Sequence, residues 1–156
     1  MEIYRVTFFG HRTLTSVAEV EKAVEEMATE LLRQKEFVEF YVGRNGDYDV
    51  AVASAIRRAQ KTVDRQNGAL ILALPYPVKD LEYYESYYDE IVFPLEEKTH
   101  FKAAITKRNR WLVEHCDLVI ACVQKTSGGA ENALRYAQRL GKKVVNLGER
   151  LPRVTL

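Results

Sequence analysis

Cysteine is scarce in this chain. Cys116 and Cys122 are its only two, one at the end of an expected helix and one inside an expected strand. That excludes a disulfide framework and leaves both as small buried thiols. His100 and His115 have no companions at ligand spacing, so nothing supports a metal site, and no cofactor is expected. An excess of charge of one sign is also missing. The 23 Lys and Arg against 22 Asp and Glu leave a formal +1, which argues against nucleic acid as a partner but leaves room for a local basic pocket. No apolar run is long enough to span a bilayer, and the chain enters its first strand without a signal-peptide pattern. A cytoplasmic protein with no membrane partner is therefore expected. Internal repeats, low-complexity tracts and linkers are absent, so the 156 residues read as one domain, 1–156. Neither G-x-x-x-x-G-K-[ST] nor G-x-G-x-x-G occurs, which speaks against a P-loop NTPase and an ordinary dinucleotide fold.

What is present is alternation. Ile3-Tyr4-Arg5-Val6-Thr7-Phe8-Phe9 is strand-like and runs into Gly10-His11-Arg12. Thr15 or Ser16 can cap a helix to about Arg33, with Val17, Val20, Val24, Met27, Ala28, Leu31 and Leu32 as its buried stripe. Phe37 to Val42 form a second strand, closed by Gly43-Arg44-Asn45-Gly46. Asp47 then caps a helix whose Val50, Ala53, Ala55, Ile56, Ala59 and Val63 face inward. A third strand over 68–74 ends in Pro75-Tyr76-Pro77. From about Phe101 a helix carries Ala104, Ile105, Arg108, Trp111, Leu112 and His115 toward an almost unbroken apolar strand over 117–123. Thr126-Ser127-Gly128-Gly129 opens another helix, Gly141 stops it, and 143–147 form the last strand. Such βαβ crossovers give an α/β, Rossmann-like three-layer sandwich around a mainly parallel sheet of about five strands.

Residues 81–93 interrupt the rhythm with four of the nine tyrosines, and Ile91-Val92-Phe93 reads as a short extra strand. The segment is either a turn of amphipathic helix covering the sheet edge, or a lid or dimer surface; a homodimer is expected from it.

In an open parallel sheet the strands' carboxyl ends share one edge, where ligands bind. Gly10-His11-Arg12, Gly43-Arg44-Asn45-Gly46, Pro75-Tyr76 and Thr126-Ser127-Gly128-Gly129 all fall on that rim. Two of these loops open helices, so unpaired amides and helix dipoles point toward a common anion, with Arg12 and Arg44 adding charge. A phosphate-bearing ligand is expected. His11 is either a general acid or base or the residue that orders its own loop. Asp47 is the helix cap, and Asp49 reads as a solvated acid of the first turn.

At this point the chain resembles the SLOG superfamily, the Rossmann-like group joining DprA-type proteins to LOG-type phosphoribohydrolases, and most of all its small single-domain bacterial branch. The resemblance rests on Phe9-Gly10-His11-Arg12, Gly43-Arg44-Asn45-Gly46-Asp47-Tyr48-Asp49 and Leu74-Pro75-Tyr76. It continues through Tyr87-Tyr88-Asp89-Glu90-Ile91, Lys107-Arg108-Asn109-Arg110-Trp111-Leu112-Val113 and Gly128-Gly129-Ala130. It implies a nucleotide-derived small molecule as ligand. The ligand-binding set is then Gly10, His11, Arg12, Gly43, Arg44, Asn45, Gly46, Asp47, Pro75, Tyr76, Arg108, Asn109, Thr126, Ser127, Gly128, Gly129 and Asn132. LOG-type enzymes cleave N-glycosidic bonds with an arginine from an Arg-Lys pair and a glutamate closing P-G-G-x-G-T-x-x-E. Arg108 matches that arginine, Asn109 stands in the lysine's place, and the glutamate's position is Arg135. Arg108 is thus the catalytic candidate if the protein is an enzyme, with its acid partner unknown and Glu131, Asp47 or Asp49 as the acids that could stand in for the missing glutamate. Binding or sensing of a nucleotide-type ligand is the first expectation. N-glycoside cleavage, of the phosphoribohydrolase or deoxyribosyltransferase kind, is the alternative, and a DprA-like nucleic-acid role ranks last.

Overall fold

The computed structural model of the chain describes residues 1–44 and 46–151. The apolar runs form six strands: β1 Ile3–Gly10, β2 Phe37–Val42, β3 Gly68–Ala73, β4 Glu90–Val92, β5 Leu118–Cys122 and β6 Lys143–Asn146. They pair in parallel throughout, in the order β4-β3-β2-β1-β5-β6. Every residue of β5 is buried, as a strand covered on both faces requires, whereas the edge strands β4 and β6 are partly exposed. The sheet has one strand more than the five expected from the main runs. The addition, β4, comes from the Tyr-rich excursion and stops at Val92, leaving Phe93 exposed.

Helices α1 (Val17–Gln34) and α2 (Asp47–Thr62) cover one face. Val20, Val24 and Leu32 of α1 and Ile56 and Ala59 of α2 are buried with Phe8, Phe40 and Leu72. A short α3 (Leu81–Tyr87) precedes β4. Helices α4 (Phe101–His115) and α5 (Gly129–Arg139) cover the other face, where Leu112, Val113, Ala133 and Leu134 pack on Phe9, Val119 and Ala121. The result is an α/β Rossmann-like three-layer sandwich. Cys116 and Cys122 are buried and unbridged, and burial pushes both thiols up to about 11. No helix among the described residues is long and apolar enough to cross a membrane.

Three hydrophobic side chains expected on packed faces are outside: Val17 is 40% exposed, Val50 66% and Ile105 47%. Val17 is the first residue of α1. In α2 the buried line runs through Tyr48, Val52, Ala55, Ile56 and Ala59, and Val50, about 200° round the helix from Tyr48, faces solvent. The expectation had passed over Tyr48 as a core residue.

In the Tyr-rich segment, Tyr84 and Tyr88 turn toward the core while Tyr83 and Tyr87 stay outside. Asp89 ties the segment down. Its carboxylate accepts the Leu70 amide at 2.8 Å, Gln60 at 3.2 Å and the Arg57 guanidinium at 3.0 Å. Burial alone would raise the Asp89 carboxyl, but these bonds outweigh it and hold it below its ordinary value.

Chain order runs outward from β1 to β4, then crosses back to place β5 on β1's other side. The topological switch lies between β1 and β5, so their carboxyl ends border the crevice where such sheets take ligands.

Candidate functional site

Tyr48 fixes the centre of the rim. Its ring lies where a side chain on Gly10 would go, since a Cβ there would meet it at 2.3 Å. Its buried hydroxyl donates to the Ile120 carbonyl at 2.8 Å. The first turn of α2 is thereby anchored beneath the end of β1 and onto β5. Asp47 fastens the same corner from outside: its amide donates to the Arg12 carbonyl at 2.8 Å, and its Oδ2 accepts the Leu14 amide at 2.9 Å. The helix cap is Gly46, not Asp47 as expected, because the Asp47 carboxylate is turned to the loop after β1.

Above these loops lies a cleft of about 460 Å³. Its lining brings together Gly10, His11, Arg12, Gly43, Arg44, Gly46, Pro75, Tyr76, Arg108, Asn109, Ser127, Gly128 and Gly129 from the expected set. Asp47 and Thr126 are not on the lining, and Asn132 faces a neighbouring groove. Asn45 lies outside the described residues. Lys125 lines the cleft without having been expected there, and so does Asp49, which was outside the expected ligand-binding set and entered only as one of three stand-in acids.

Arg108 occupies the floor. Its Nη1 donates to the Ala73 carbonyl at the end of β3 (3.3 Å), while Nε and Nη2 both donate to Asn109 Oδ1 (3.1 and 2.8 Å). Asn109 is buried, and its amide oxygen aims the guanidinium. Burial draws the Arg108 pKa below the ordinary arginine value; Asp49 and Tyr76 oppose that and Arg44 adds to it. A Cβ on Gly43 would stand 3.3 Å from Arg108 Nη1 and 3.5 Å from both Asp49 oxygens. Gly43 thus lies against both the acid and the guanidinium at the end of β2.

Asp49 is not the solvated acid expected. It is partly buried, and its carboxylate turns back toward the cap, Oδ2 standing 3.4 Å from where a Cβ on Gly46 would lie. Burial pushes its carboxyl up to about 6, against the pull of Arg108 and the Gly46 amide. The spacing Gly46-Asp47-Tyr48-Asp49 holds the signal that was overlooked: the acid three residues past the cap is the one that turns back.

His11 orders its loop. Its Nε2 accepts the amides of Gln124 at 3.0 Å and Lys125 at 3.2 Å, so the ring proton sits on Nδ1. Burial, then the Lys125 charge, lowers its pKa, in the direction that favours the neutral ring. Those two amides are thus taken by the protein. Farther along the same loop the position differs. Gly128 caps α5 at φ 111°, a conformation that favours glycine, and the first helical bond is Asn132 N to Gly128 O at 3.0 Å. The amides of Gly129, Ala130 and Glu131 precede that bond and have no partner within the helix. Arg44 leans on α3, its Nη1 donating to the Tyr84 hydroxyl at 3.4 Å. Arg12, Arg44, Arg108 and Lys125 meet one carboxyl, that of Asp49, on this lining, so the cleft is cationic. Glu131, buried on α5, is engaged by Arg135.

No protein-family model matches the chain, and no curated protein does. Solved structures do. DNA processing protein A (DprA) from Streptococcus pneumoniae superposes with a TM-score of 0.65 at 19% identity, covering 91% of this chain and 49% of that one. DprA from Helicobacter pylori, described for its single-stranded DNA binding mode, gives 0.64 at 18%, covering 90% and 63%. The molybdenum cofactor carrier protein from Chlamydomonas reinhardtii gives 0.60 at 15%, covering 94% and 78%. The chain therefore spans about half to three-fifths of the DprA proteins it resembles.

These likenesses correct one expectation. A nucleic-acid role was set aside on a net charge of +1, yet a protein of this fold has a single-stranded DNA binding mode. Net charge is a sum over the whole chain and does not report how charge is distributed. Residues 98–143 hold ten Lys and Arg against three Asp and Glu, while the rest of the chain holds thirteen against nineteen.

Proposed function

We propose, for a chain with the SLOG/DprA-like Rossmann-like fold, that the cleft between β1 and β5 binds a nucleotide-type ligand through its phosphate. One observation carries this reading: Arg108, aimed by Asn109 and the Ala73 carbonyl, shares a lining with Arg44 and with the Gly128-Gly129 turn that opens α5. Guanidinium forks and unpaired helix-terminal amides are suited to phosphate oxygens. Tyr76, 37% exposed on the same lining, offers a ring face for a base. Calorimetry with a nucleoside monophosphate and its unphosphorylated nucleoside tests the reading. Binding should require the phosphate, and Arg44→Ala should weaken it about tenfold or more, the ordinary worth of a charged hydrogen bond. Absence of binding by phosphorylated compounds, or an unaffected variant, overturns it.

A second reading, N-glycoside cleavage, is favoured by the Asp49 carboxyl at about 6 facing Arg108. Of the acids that could replace the missing glutamate, only Asp49 lines the cleft, since Asp47 binds the Leu14 amide and Glu131 binds Arg135. A carboxyl tuned toward neutrality in a cleft is suited to proton transfer. Release of free base from a nucleoside monophosphate, lost in both Asp49→Asn and Arg108→Ala, would establish turnover.

A further inference from the structure

An acid stands where the cleft would receive an anion. Among the described residues of the lining, Arg12 comes from the loop after β1, Arg44 from the loop after β2, Lys125 from the loop after β5 and Arg108 from α4, while the one carboxyl is that of Asp49 on α2. Arg108 Nη1 and both Asp49 oxygens lie within 3.5 Å of a single point, the place a Cβ on Gly43 would take. The guanidinium donates its hydrogen bonds to the Ala73 carbonyl and to Asn109, so Asp49 is not what positions it. A phosphate that reaches Arg108 therefore comes close to a second anion, above the buried Asn109. Like charges repel more strongly there than in water, and the repulsion favours the neutral form of the carboxyl. Once protonated, the acid has an O–H to donate, and the repulsion becomes a hydrogen bond. The free carboxyl, at about 6, is near enough to neutrality for a modest push to protonate it. Neighbouring groups do not compete for that proton. Tyr48 on the same helix and Tyr88, which caps α3, feel the Asp49 charge, but burial above all raises both phenols, so they keep their own protons. Tyr76, after β3, completes the polar surroundings. His11, after β1, ordinarily titrates in this range, yet its Nε2 is held by two backbone amides and its pKa is lowered.

We propose that the cleft takes up anion and proton together: a phosphate that settles on Arg108 is accompanied by a proton from solvent, bound at the Asp49 carboxylate, whose new O–H donates to a phosphate oxygen. The inference rests on the phosphate-binding reading of the cleft and adds its regulation. No covalent bond of the ligand changes; the protein gains one positive charge as the ligand enters. Asp49 thereby makes the site strongest in mild acid, whereas an amide in its place would bind without regard to its own protonation.

The test is calorimetry of the full chain and of Asp49→Asn with one nucleoside monophosphate between pH 5 and 8, in buffers of different ionisation enthalpy. The ligand's phosphate titrates in the same range against both proteins, so the comparison between them is what is read. The variant's affinity divided by the parent's should be near one at pH 5 and rise to about tenfold at pH 8, as a one-unit rise of the Asp49 value on binding requires. Near pH 6.5 the parent should take up about half a proton more per ligand than the variant. An infrared difference spectrum of the parent, ligand-bound minus free, should show a protonated-carboxyl band, which reads the same event without any substitution. An affinity ratio that stays flat with pH, an uptake that persists in Asp49→Asn and so lands on another group such as His11, or a spectrum without that band overturns the coupling and leaves the cleft reading intact. No binding of the monophosphate by either protein at any pH defeats the cleft reading first.

Discussion

Replacing Asp49 by asparagine isolates the electrostatic cost built into the cleft. The folded protein holds this carboxyl at about 6 instead of the ordinary 3.8. Between those values the native state binds more protons than the unfolded chain, so stability falls as pH rises through the window from about 4 to about 6. Above the window the cost is complete. At about 1.4 kcal/mol for each tenfold step, it amounts to about 3 kcal/mol. That figure is net, because the attraction of Arg108 and of the Gly46 amide already acts within it. Asparagine keeps the shape and never ionises. Asp49→Asn should therefore exceed the parent in stability by up to about 3 kcal/mol at pH 7.5, with the difference shrinking toward zero by pH 4. Urea unfolding at pH 4, 5.5 and 7.5 reads this directly. A difference that does not vary with pH, or a variant less stable than the parent at pH 7.5, refutes the reasoning. The binding consequence runs in the same direction: with no carboxylate facing it, Arg108 should hold a phosphate at least as tightly as before. A site that retains an acid at this cost, where an amide would fit, is more readily explained by chemistry than by folding.

Three further outcomes follow from the same geometry. Gly10→Ala puts a methyl group 2.3 Å from the Tyr48 ring and should cost about 3 kcal/mol or more by displacing the hydroxyl from the Ile120 carbonyl; a thermal melt near that of the parent would contradict the buttressing role. Asn109→Leu removes the oxygen that accepts both Nε and Nη2 of Arg108 and should weaken phosphate binding about tenfold in calorimetry, whereas unchanged affinity would show that Arg108 is aimed without it. Asp89→Asn removes a carboxylate held below its ordinary value by Leu70, Gln60 and Arg57; the stability it contributes is present above the ordinary carboxylate range and lost as pH falls through the folded value, so the variant should be weaker than the parent at pH 7 and converge with it in strong acid. A constant gap across that range would contradict the assignment.

The sequence by itself determined the alternation of strands and helices, because an apolar run or a 3.6-residue stripe is legible within a dozen neighbouring residues. Alternation implied crossovers, crossovers implied a parallel sheet, and a parallel sheet placed Gly10, Gly43, Tyr76 and Gly129 on one rim. The uneven spread of charge was written there as well, in the ten cations of residues 98–143, but a whole-chain sum conceals it. What tertiary structure decided were the partners that lie far away in the chain. His11 gives its Nε2 to amides more than a hundred residues on, Tyr48 reaches Ile120 through the space left by Gly10, and Asp47 turns to Leu14, leaving Asp49 to bend back over Gly46. Two acids in one helical turn look alike to any local rule. Which of them is exposed, and which is buried against an arginine from another helix, is set by long-range packing, because burial and charge depend on whatever the fold brings alongside.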